Sequence, residues 1–225
     1  MAADCRQRAH AAFDATLSAT VHRPGTCEDL HEAEGPEPAR SAVSIPAHDT
    51  LEASPWVQRW SHLVPSEAAV LDVACGSGRH VRWFAKRGCR VTGVDRDAAA
   101  LGALADIAQT VVADIEHGPW PLAGRRFDAV VVTNYLWRAL LPTLVASVDD
   151  GGVLIYETFA EGQASIGKPS NPDFLLRPGE LLQAAAGLRL IAFEDGFLDT
   201  PARFVQRIAA VRERPGAAAA ARYRL

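Results

Sequence analysis

Short apolar runs alternate with helix-like stretches along most of this chain. The runs lack the polar alternation of a half-exposed strand, most plainly at residues 129–132 (AVVV). Such runs are typical of strands that helices cover on both faces. The pattern predicts strands at 69–73, 90–94, 109–113, 127–133, 152–157, 189–194 and 204–212. It predicts helices near 78–87, 97–105, 136–147 and 178–186.

The connection between the last two predicted strands decides their direction. Residues 195–202 are too few and too turn-like to carry a crossover helix, so these two strands must pair as an antiparallel hairpin. The other connections leave room for helices and predict parallel pairing. We therefore expect an α/β fold with a doubly wound, seven-stranded, mostly parallel sheet that ends in an antiparallel C-terminal hairpin.

The N-terminal part of the chain follows no such pattern. Residues 1–48 mix Ala, Glu, Pro and His without periodicity, which predicts a poorly ordered extension. We expect the folded domain over 49–214 and a flexible tail over 215–225. Ser54 and Pro55 have the character of a helix cap and a first-turn proline, and tryptophans follow at helical spacing. That tryptophan stripe is either core packing or the wall of a substrate site.

Charge is distributed unevenly between the N-terminal part and the remainder. The 225 residues include 27 acidic and 23 basic side chains, for a net charge of −4. Residues 1–50 hold eight of the acidic and four of the basic groups, which leaves 27 − 8 = 19 acidic and 23 − 4 = 19 basic. This near neutrality disfavours nucleic acid as a partner without excluding it. From Pro201 onward, six arginines accompany one glutamate, a bias that either contacts an anionic partner or is simply solvated.

The cysteines and the hydropathy indicate a cytoplasmic protein. Cys5, Cys27, Cys75 and Cys89 form no CxxC pair and follow no signal peptide, so we expect reduced thiols. No run approaches eighteen apolar residues, so neither a membrane span nor a membrane partner is expected. The histidines are irregularly spaced, and no metal site is expected.

The stretch most informative for function is 70–78 (VLDVACGSG), where an apolar strand runs directly into a glycine-containing turn. A helix follows at once, so its unpaired N–H groups face whatever occupies the turn. A second strand, 90–94, ends in Asp95, a carboxylate placed to accept hydrogen bonds from ribose hydroxyls. Together these features predict a site for a nucleotide-like cofactor.

Two residues separate the candidate cofactors. A dinucleotide fingerprint needs glycine or alanine three residues beyond Gly78, where Val81 stands. Asp72, two residues before the turn, would repel a diphosphate but suits the cationic amino-acid part of S-adenosylmethionine. The residues favour S-adenosylmethionine and leave NAD as the alternative.

Several segments resemble, in order, the motifs of class I S-adenosylmethionine-dependent methyltransferases. They are 70–80 (VLDVACGSGRH), 91–95 (VTGVD), 112–115 (VADI) and 127–136 (FDAVVVTNYL), followed by 150–154 (DGGVL). The resemblance spans roughly residues 54–212 and departs from the family at Ala74, where glycine is frequent. Within the family, the chain is similar to small bacterial, tellurite-resistance-like members. The resemblance implies a Rossmann-like fold and S-adenosylmethionine as cofactor.

The resemblance also implies roles for individual residues. Asp95 would bind the ribose, Asp114 the adenine amino group, and Asn134 would lie near the sulfonium and the incoming substrate. A purely structural interpretation stays open, since Asp95 could cap the next helix and Asp114 could begin a turn. The full set expected to bind the cofactor is Asp72, Ala74, Gly76, Gly78, Asp95, Arg96, Asp114, Ile115 and Asn134.

Methyl transfer from a sulfonium depends more on alignment than on side-chain chemistry, so a catalytic base is not required. If the acceptor must lose a proton, the candidate bases are His80, Tyr135 and Glu157. The connection 160–177 is long enough to form either a lid or a packed surface loop. The residues expected to bind the substrate are Tyr135, Trp137, Arg138, Lys168, Asn171, Phe174 and Arg177.

The acceptor is expected to be a small molecule, because no added recognition domain is evident. The chain lacks an Asn-Pro-Pro-aromatic tetrapeptide after the fourth strand, which counts against adenine or glutamine as the acceptor. RNA or protein as acceptor and a non-catalytic module that binds S-adenosylmethionine remain as alternatives. A monomer or a homodimer is expected.

Overall fold

The structure is a computed structural model that describes residues 52–216 and 221–225. Its seven strands are β1 (Ala69–Val73), β2 (Arg90–Asp95), β3 (Gln109–Val112), β4 (Phe127–Thr133), β5 (Val148–Phe159), β6 (Arg189–Asp199) and β7 (Ala202–Val211). They form one sheet of order β3-β2-β1-β4-β5-β7-β6. The first five strands are parallel, and β7 runs antiparallel to both β5 and β6. The predicted fold is confirmed.

The helices are shorter than predicted. They are α1 (Pro55–Trp60), α2 (Arg79–Lys86), α3 (Ala98–Gly102), α4 (Leu141–Ala146) and α5 (Glu180–Ala184). Short 3₁₀ segments occur at Ser61–Leu63, Arg138–Leu140, Gln163–Ser165 and Pro172–Phe174. The predicted helix 136–147 begins late because Pro142 lacks a backbone N–H and is accommodated only in a first turn. At the first helix, the hydroxyl of Ser54 accepts a hydrogen bond from the Trp56 N–H at 3.1 Å, which confirms the predicted cap.

Two separate hydrophobic layers cover the two faces of the sheet. Along β4, Val130 and Val132 belong to one layer, whereas the alternating Ala129 and Val131 belong to the other. The first layer is completed by α4 and α5, and the second by α1, α2 and α3. Because every β4 side chain in this stretch meets a helix layer, the strand is apolar on both faces. The tryptophan stripe of α1 is fully buried in the second layer and is therefore core packing.

The C-terminal hairpin is longer than predicted. β6 continues to Asp199, which pairs with Ala202 across the turn. Residues 194–199 (EDGFLD) carry too few apolar side chains to be read as a strand, yet at the edge of the sheet their side chains are largely exposed, so polar residues cost little there.

The ends of the chain are described only in part. The extension predicted over residues 1–48 lies outside the described residues, and so do 217–220 of the predicted tail. Within 221–225, Tyr223 packs against the second core layer, and the carbonyl of Arg224 lies 3.2 Å from Nε2 of His62. No helix in the described part of the chain has the length and apolar character needed to cross a membrane.

Candidate functional site

The carboxyl ends of β1 to β4 meet where the strand order reverses, the place at which open α/β sheets bind ligands. A cavity of about 340 Å³ lies at this switch point. It is lined by Ala74, Asp95, Arg96, Ala113, Asp114, Ile115, Glu116, Asn134 and Tyr135. The structure thus brings most of the residues expected to bind the cofactor into one wall.

The turn after β1 places Ala74 in the cavity wall and requires several residues with left-handed backbone. Ala74 has φ +51° and Gly78 has φ +79°, both in the left-handed region. Ala74 bears a cost of about 1–2 kcal/mol in that region, which glycine at the same place would avoid. A Cβ added to Gly78 would clash with the side chain of Leu104, so close packing as well as backbone conformation favours glycine here.

Asp95, at the end of β2, ties the turn to the second strand. Its Oδ2 accepts a hydrogen bond from the N–H of Gly76 at 2.8 Å, and its Oδ1 accepts one from the N–H of Asp97 at 2.9 Å. The cap of α3 is Asp97, which accepts hydrogen bonds from the N–H groups of Ala99 and Ala100, so the helix does not need Asp95 as its cap. Each Asp95 oxygen keeps a spare acceptor position for a ligand hydroxyl.

Asp114 begins a turn and also lines the cavity. Its Oδ1 accepts hydrogen bonds from the N–H groups of Glu116 and His117, at 3.0 and 3.1 Å, so it does begin a turn. These backbone hydrogen bonds hold the pKa of the carboxyl below its usual range. The same residue lines the cavity, where Ile115 supplies a buried apolar surface beside it.

Asn134 and Tyr135 close the cavity at the end of β4. Asn134 has φ +53°, a conformation that asparagine adopts more readily than most residues, and its N–H donates to the carbonyl of Glu157 at 2.9 Å. The hydroxyl of Tyr135 is buried and has no hydrogen-bond partner among the described residues. Burial, and then the nearby Glu116 and Asp114, raise the pKa of this phenol, so it stays protonated at neutral pH.

Asp72 and His80 lie beneath the turn and are almost completely buried. The N–H of Ser54 donates to Nε2 of His80 at 3.2 Å, so the proton of the neutral ring is assigned to Nδ1. Nδ1 lies 3.5 Å from Oγ1 of Thr133 and 4.0 Å from Oδ2 of Asp72. Burial, and then the charge of Arg79, lower the pKa of His80 to about 3. Burial raises the pKa of Asp72 to about 7, although Arg79 opposes the shift.

Glu157, on β5, is the centre of a buried ionic cluster. The hydroxyl of Ser54 donates to its Oε1 at 2.7 Å, and its Oε2 lies 3.3 Å from Nη1 of Arg207 and 3.5 Å from Nη2 of Arg203. Arg207 also donates through Nε to Glu194 at 2.7 Å. Neither Glu157 nor His80 lines the cavity, so each candidate base lies among internal partners.

Arg138 fastens the long connection that was expected to hold substrate. Its guanidinium donates to both oxygens of Glu180, at 2.7 and 3.0 Å, and to the carbonyls of Asp173 and Leu175, each at 2.7 Å. The guanidinium therefore has four internal acceptors. Trp137 packs against the first core layer, with its ring centroid 5.8 Å from that of His117.

The other residues expected to bind substrate lie along the connection 160–177. Lys168, Phe174 and Arg177 are exposed, whereas the side chain of Asn171 accepts a hydrogen bond from the N–H of Asp173 and caps a 3₁₀ segment. The structure does not place these four residues in the wall of the cavity.

Sequence reasoning missed several polar residues near the site. Glu116, which directly follows the recognised motif 112–115, lines the cavity, as does the apolar Ala113 within that motif. Thr133 accepts a hydrogen bond from Nη2 of Arg79 at 3.4 Å. Arg79 and Thr133 each lie inside a recognised motif, so their positions in the motifs could have indicated a role. Only the structure shows that the two side chains are in contact.

The fold, the cavity at the switch point and the carboxylates at the ends of β2 and β3 define a domain that binds a nucleoside-containing cofactor. A family described as a methyltransferase domain matches residues 70–152 of the chain. That segment begins within β1 and ends within β5, and it includes every residue that lines the cavity.

One curated protein is similar to this chain in sequence over part of its length. Ribosomal RNA small subunit methyltransferase H from Gemmatimonas aurantiaca is 32% identical over 170 residues, which cover 68% of this chain and 49% of that protein. The chain thus spans about half the length of this curated relative.

Among solved structures, TehB from Haemophilus influenzae has a TM-score of 0.57 at 18% identity, covering 70% of this chain and 61% of that one. A TehB-like S-adenosylmethionine-dependent methyltransferase from Corynebacterium glutamicum has a TM-score of 0.52 at 20% identity, covering 70% and 87%. At these identities, the similarity establishes the fold.

The chain carries a class I S-adenosylmethionine-dependent methyltransferase domain, as the resemblance of its motifs predicted. S-adenosylmethionine is the cofactor of that family, and one observation tests whether this site fits it. The Oδ2 atom of Asp72 is buried and has no hydrogen-bond partner among the described residues. An unpaired buried acceptor is costly, and a cationic group such as the methionine ammonium would compensate it. The residues present therefore fit the cofactor.

Proposed function

We propose that this protein transfers a methyl group from S-adenosylmethionine to a small-molecule acceptor by direct displacement. The observation that carries the proposal is the cavity of about 340 Å³ at the switch point, with Asp95, Asp114 and Tyr135 in its wall. The two carboxylates supply acceptors for the ribose hydroxyls and the adenine amino group. Ile115 supplies the apolar surface that a purine ring needs, and Asp72 supplies negative charge for the methionine part.

The reaction makes modest chemical demands on the protein. The sulfonium of the cofactor supplies a methyl group that is already activated for displacement. The residues of the chain have to orient the reactants and exclude water, and those two effects are large contributors to enzymatic rates. We propose that Asn134, at the end of β4, lies beside the reacting centre.

Proton transfer does not require a dedicated side chain in this mechanism. Tyr135 has a raised pKa, so its hydroxyl is suited to donate a hydrogen bond rather than to remove a proton. His80 is neutral, and its Nε2 already accepts the N–H of Ser54. Glu157 is held by Ser54, Arg203 and Arg207. We propose that His80 and Glu157 position the turn and the strand end, and that solvent receives any proton released.

Isotopically labelled methyl transfer tests the proposal. The full chain is incubated with methyl-labelled S-adenosylmethionine and, in separate reactions, with a small-metabolite extract, total RNA and total protein. The expected result is label in small molecules, lost when the cofactor site is disabled by Asp95→Ala. Label in none of the three fractions, from protein that binds the cofactor, would overturn the proposal and favour a non-catalytic binding module.

RNA is the second candidate acceptor, because the 32% identical relative is a ribosomal RNA methyltransferase. Binding that depends on phosphate contacts weakens steeply as salt rises. Methylation of RNA, together with an RNA affinity that falls steeply between about 50 and 200 mM salt, would support this alternative. Absence of RNA binding at low salt would exclude it.

A further inference from the structure

A second cavity, of about 600 Å³, lies along one side of α2. Three of its lining residues are basic, namely Arg79, Arg82 and Lys86. They stand at positions i, i+3 and i+7 of the helix, so their side chains project from the same face. The cavity is therefore walled on one side by a row of positive charges.

These basic side chains have no direct ion-pair partner in the described part of the chain, although the buried carboxylates of Glu157 and Asp72 act electrostatically on Arg79. None of the three basic residues forms an ion pair with a carboxylate of residues 52–216 or 221–225. Among the described residues, the cavity wall contains one acidic residue, Glu52, against three basic ones. A concave site lined mainly by one sign of charge concentrates ions of the opposite sign. The cavity is electrostatically suited to an anion.

Arg79 connects this cavity with the cofactor site. It is the first residue of α2, directly after the turn 74–78, and its Nη2 donates to Oγ1 of Thr133 at 3.4 Å. Thr133 ends β4, and the next residue, Asn134, lines the cofactor cavity. One hydrogen bond, from Arg79 to Thr133, thus links the wall of the second cavity with the strand end that carries Asn134.

We propose that the cavity walled by Arg79, Arg82 and Lys86 binds an anionic group of the methyl acceptor, a carboxylate or a phosphate. This inference rests on the proposed function and narrows its substrate class to anionic small molecules. Arginine pairs well with carboxylate and phosphate oxygens, and lysine adds a compact charge. A concave site of this size suits a small ligand better than a flat nucleic-acid surface.

The first experiment detects the anion without the acceptor. Trp83 lies in the cavity wall, so its indole N–H resonance reports on occupancy. That resonance is assigned by its loss in Trp83→Phe, and the protein is titrated with inorganic phosphate, acetate and citrate. We expect saturable movement of the Trp83 signal and no movement of those from Trp56 and Trp60, which are buried in the core. No movement with any of the three probes would overturn the proposal.

Charge-removal variants assign the binding to this cavity. The double variant Arg82→Gln, Lys86→Gln should weaken probe binding about tenfold, since two charged hydrogen-bond donors are lost. Arg126→Gln removes one charge at an exposed site paired with Asp150, and should leave probe binding unchanged. Equal probe affinity in the double variant and the parent would overturn the assignment. A stronger response to phosphate than to the carboxylates would indicate a phosphorylated acceptor, and the reverse a carboxylic acid.

Measurement of cofactor binding distinguishes failure of the anion-site proposal from failure of the proposed function. The double variant should keep the parent affinity for S-adenosylmethionine, because Arg82 and Lys86 do not line the cofactor cavity. If the cofactor binds and the anions do not, this inference fails while the proposed function stands. If the cofactor fails to bind the parent protein, the proposed function fails first. With an acceptor from the labelling experiment, the double variant should raise KM about tenfold and change kcat little. Selective labelling of RNA would contradict a small anionic acceptor.

Discussion

Two regions at the carboxyl edge of the sheet differ in whether their ionisable side chains already have partners within the chain. Around the cofactor cavity, Asp95 and Asp114 are partly exposed, hold only backbone or local partners, and retain acceptor capacity. On the other side of the first turn, His80 and Glu157 are buried and hydrogen-bonded to groups of this same chain. The first region is built to receive hydrogen bonds from a ligand. The second holds the turn and the strand ends in place.

The buried cluster teaches that an ionisable residue at a strand end need not act on substrate. Glu157 ends among Ser54, Arg203 and Arg207, so its charge is balanced before any ligand arrives. A buried charge stabilises a fold only while its partners remain. Substitutions should therefore cost stability in the buried cluster and cofactor affinity around the cavity.

The largest expected effect is in the buried cluster. Glu157→Gln leaves Arg203 and Arg207 close together without their shared carboxylate, so the free energy of unfolding should fall by about 3–5 kcal/mol. Urea unfolding measures it. The matched control is Glu194→Gln, which removes a partly exposed partner of Arg207 and should cost about 1 kcal/mol or less. Equal losses in the two variants would contradict the distinction between buried and exposed partners.

The next effect is a gain in stability, and its size depends on pH. The pKa of Asp72 is raised to about 7 by burial, so the folded state of the parent loses stability as pH rises from about 4 to 7. Asp72→Asn removes that slope. The variant should match the parent near pH 4 and exceed its stability at pH 8 by on the order of 2–4 kcal/mol.

His80, with its pKa lowered to about 3, makes stability rise with pH. This contribution is the same in the parent and in Asp72→Asn, so it cancels in the comparison. Urea unfolding from pH 5 to 8 provides the test. The same variant should bind S-adenosylmethionine more weakly, because the orphaned acceptor has lost its charge. A constant stability difference across the range would contradict a raised pKa for Asp72.

The turn that joins the two regions offers a smaller effect and an internal control. Gly78→Ala should lower the free energy of unfolding by about 2–4 kcal/mol, from the left-handed backbone and the contact with Leu104. A Cβ added at Gly76 would have no atom within 4 Å. Gly76→Ala should therefore lower the free energy of unfolding only by the cost of a left-handed alanine backbone, about 1–2 kcal/mol. Thermal unfolding of the two variants measures the difference. Equal losses would mean that Leu104 moves aside.

Much of the fold, and most of the lining of the cavity, can be predicted from local sequence patterns and the motifs. β1 and β4 have the predicted bounds, because their apolar runs end at recognisable turns. The resemblance of the motifs predicts Asp95, Asp114 and Asn134 as cofactor residues, and parallel strands bring their carboxyl ends to one edge, where all three line the cavity.

The rest depends on contacts between distant residues. The hydrogen bond from Ser54 to Glu157 joins residues 103 positions apart, and that from Arg79 to Thr133 joins residues 54 apart. Periodicity along the chain carries no information about either contact. The same reasoning explains Arg138, whose internal partners lie in α5 and in the connection 160–177 and cannot be inferred from the sequence.

The most direct test of the central claim is calorimetric titration of the full chain with S-adenosylmethionine and its demethylated product. The parent should bind both, and Asp95→Ala should bind S-adenosylmethionine about 30- to 100-fold more weakly, since hydrogen bonds to a charged acceptor are lost. Asp97→Ala, which removes the cap of α3 two residues away, should keep the parent affinity. Failure of the well-folded parent to bind either compound, or equal affinity in Asp95→Ala, would contradict a cofactor site at this edge of the sheet.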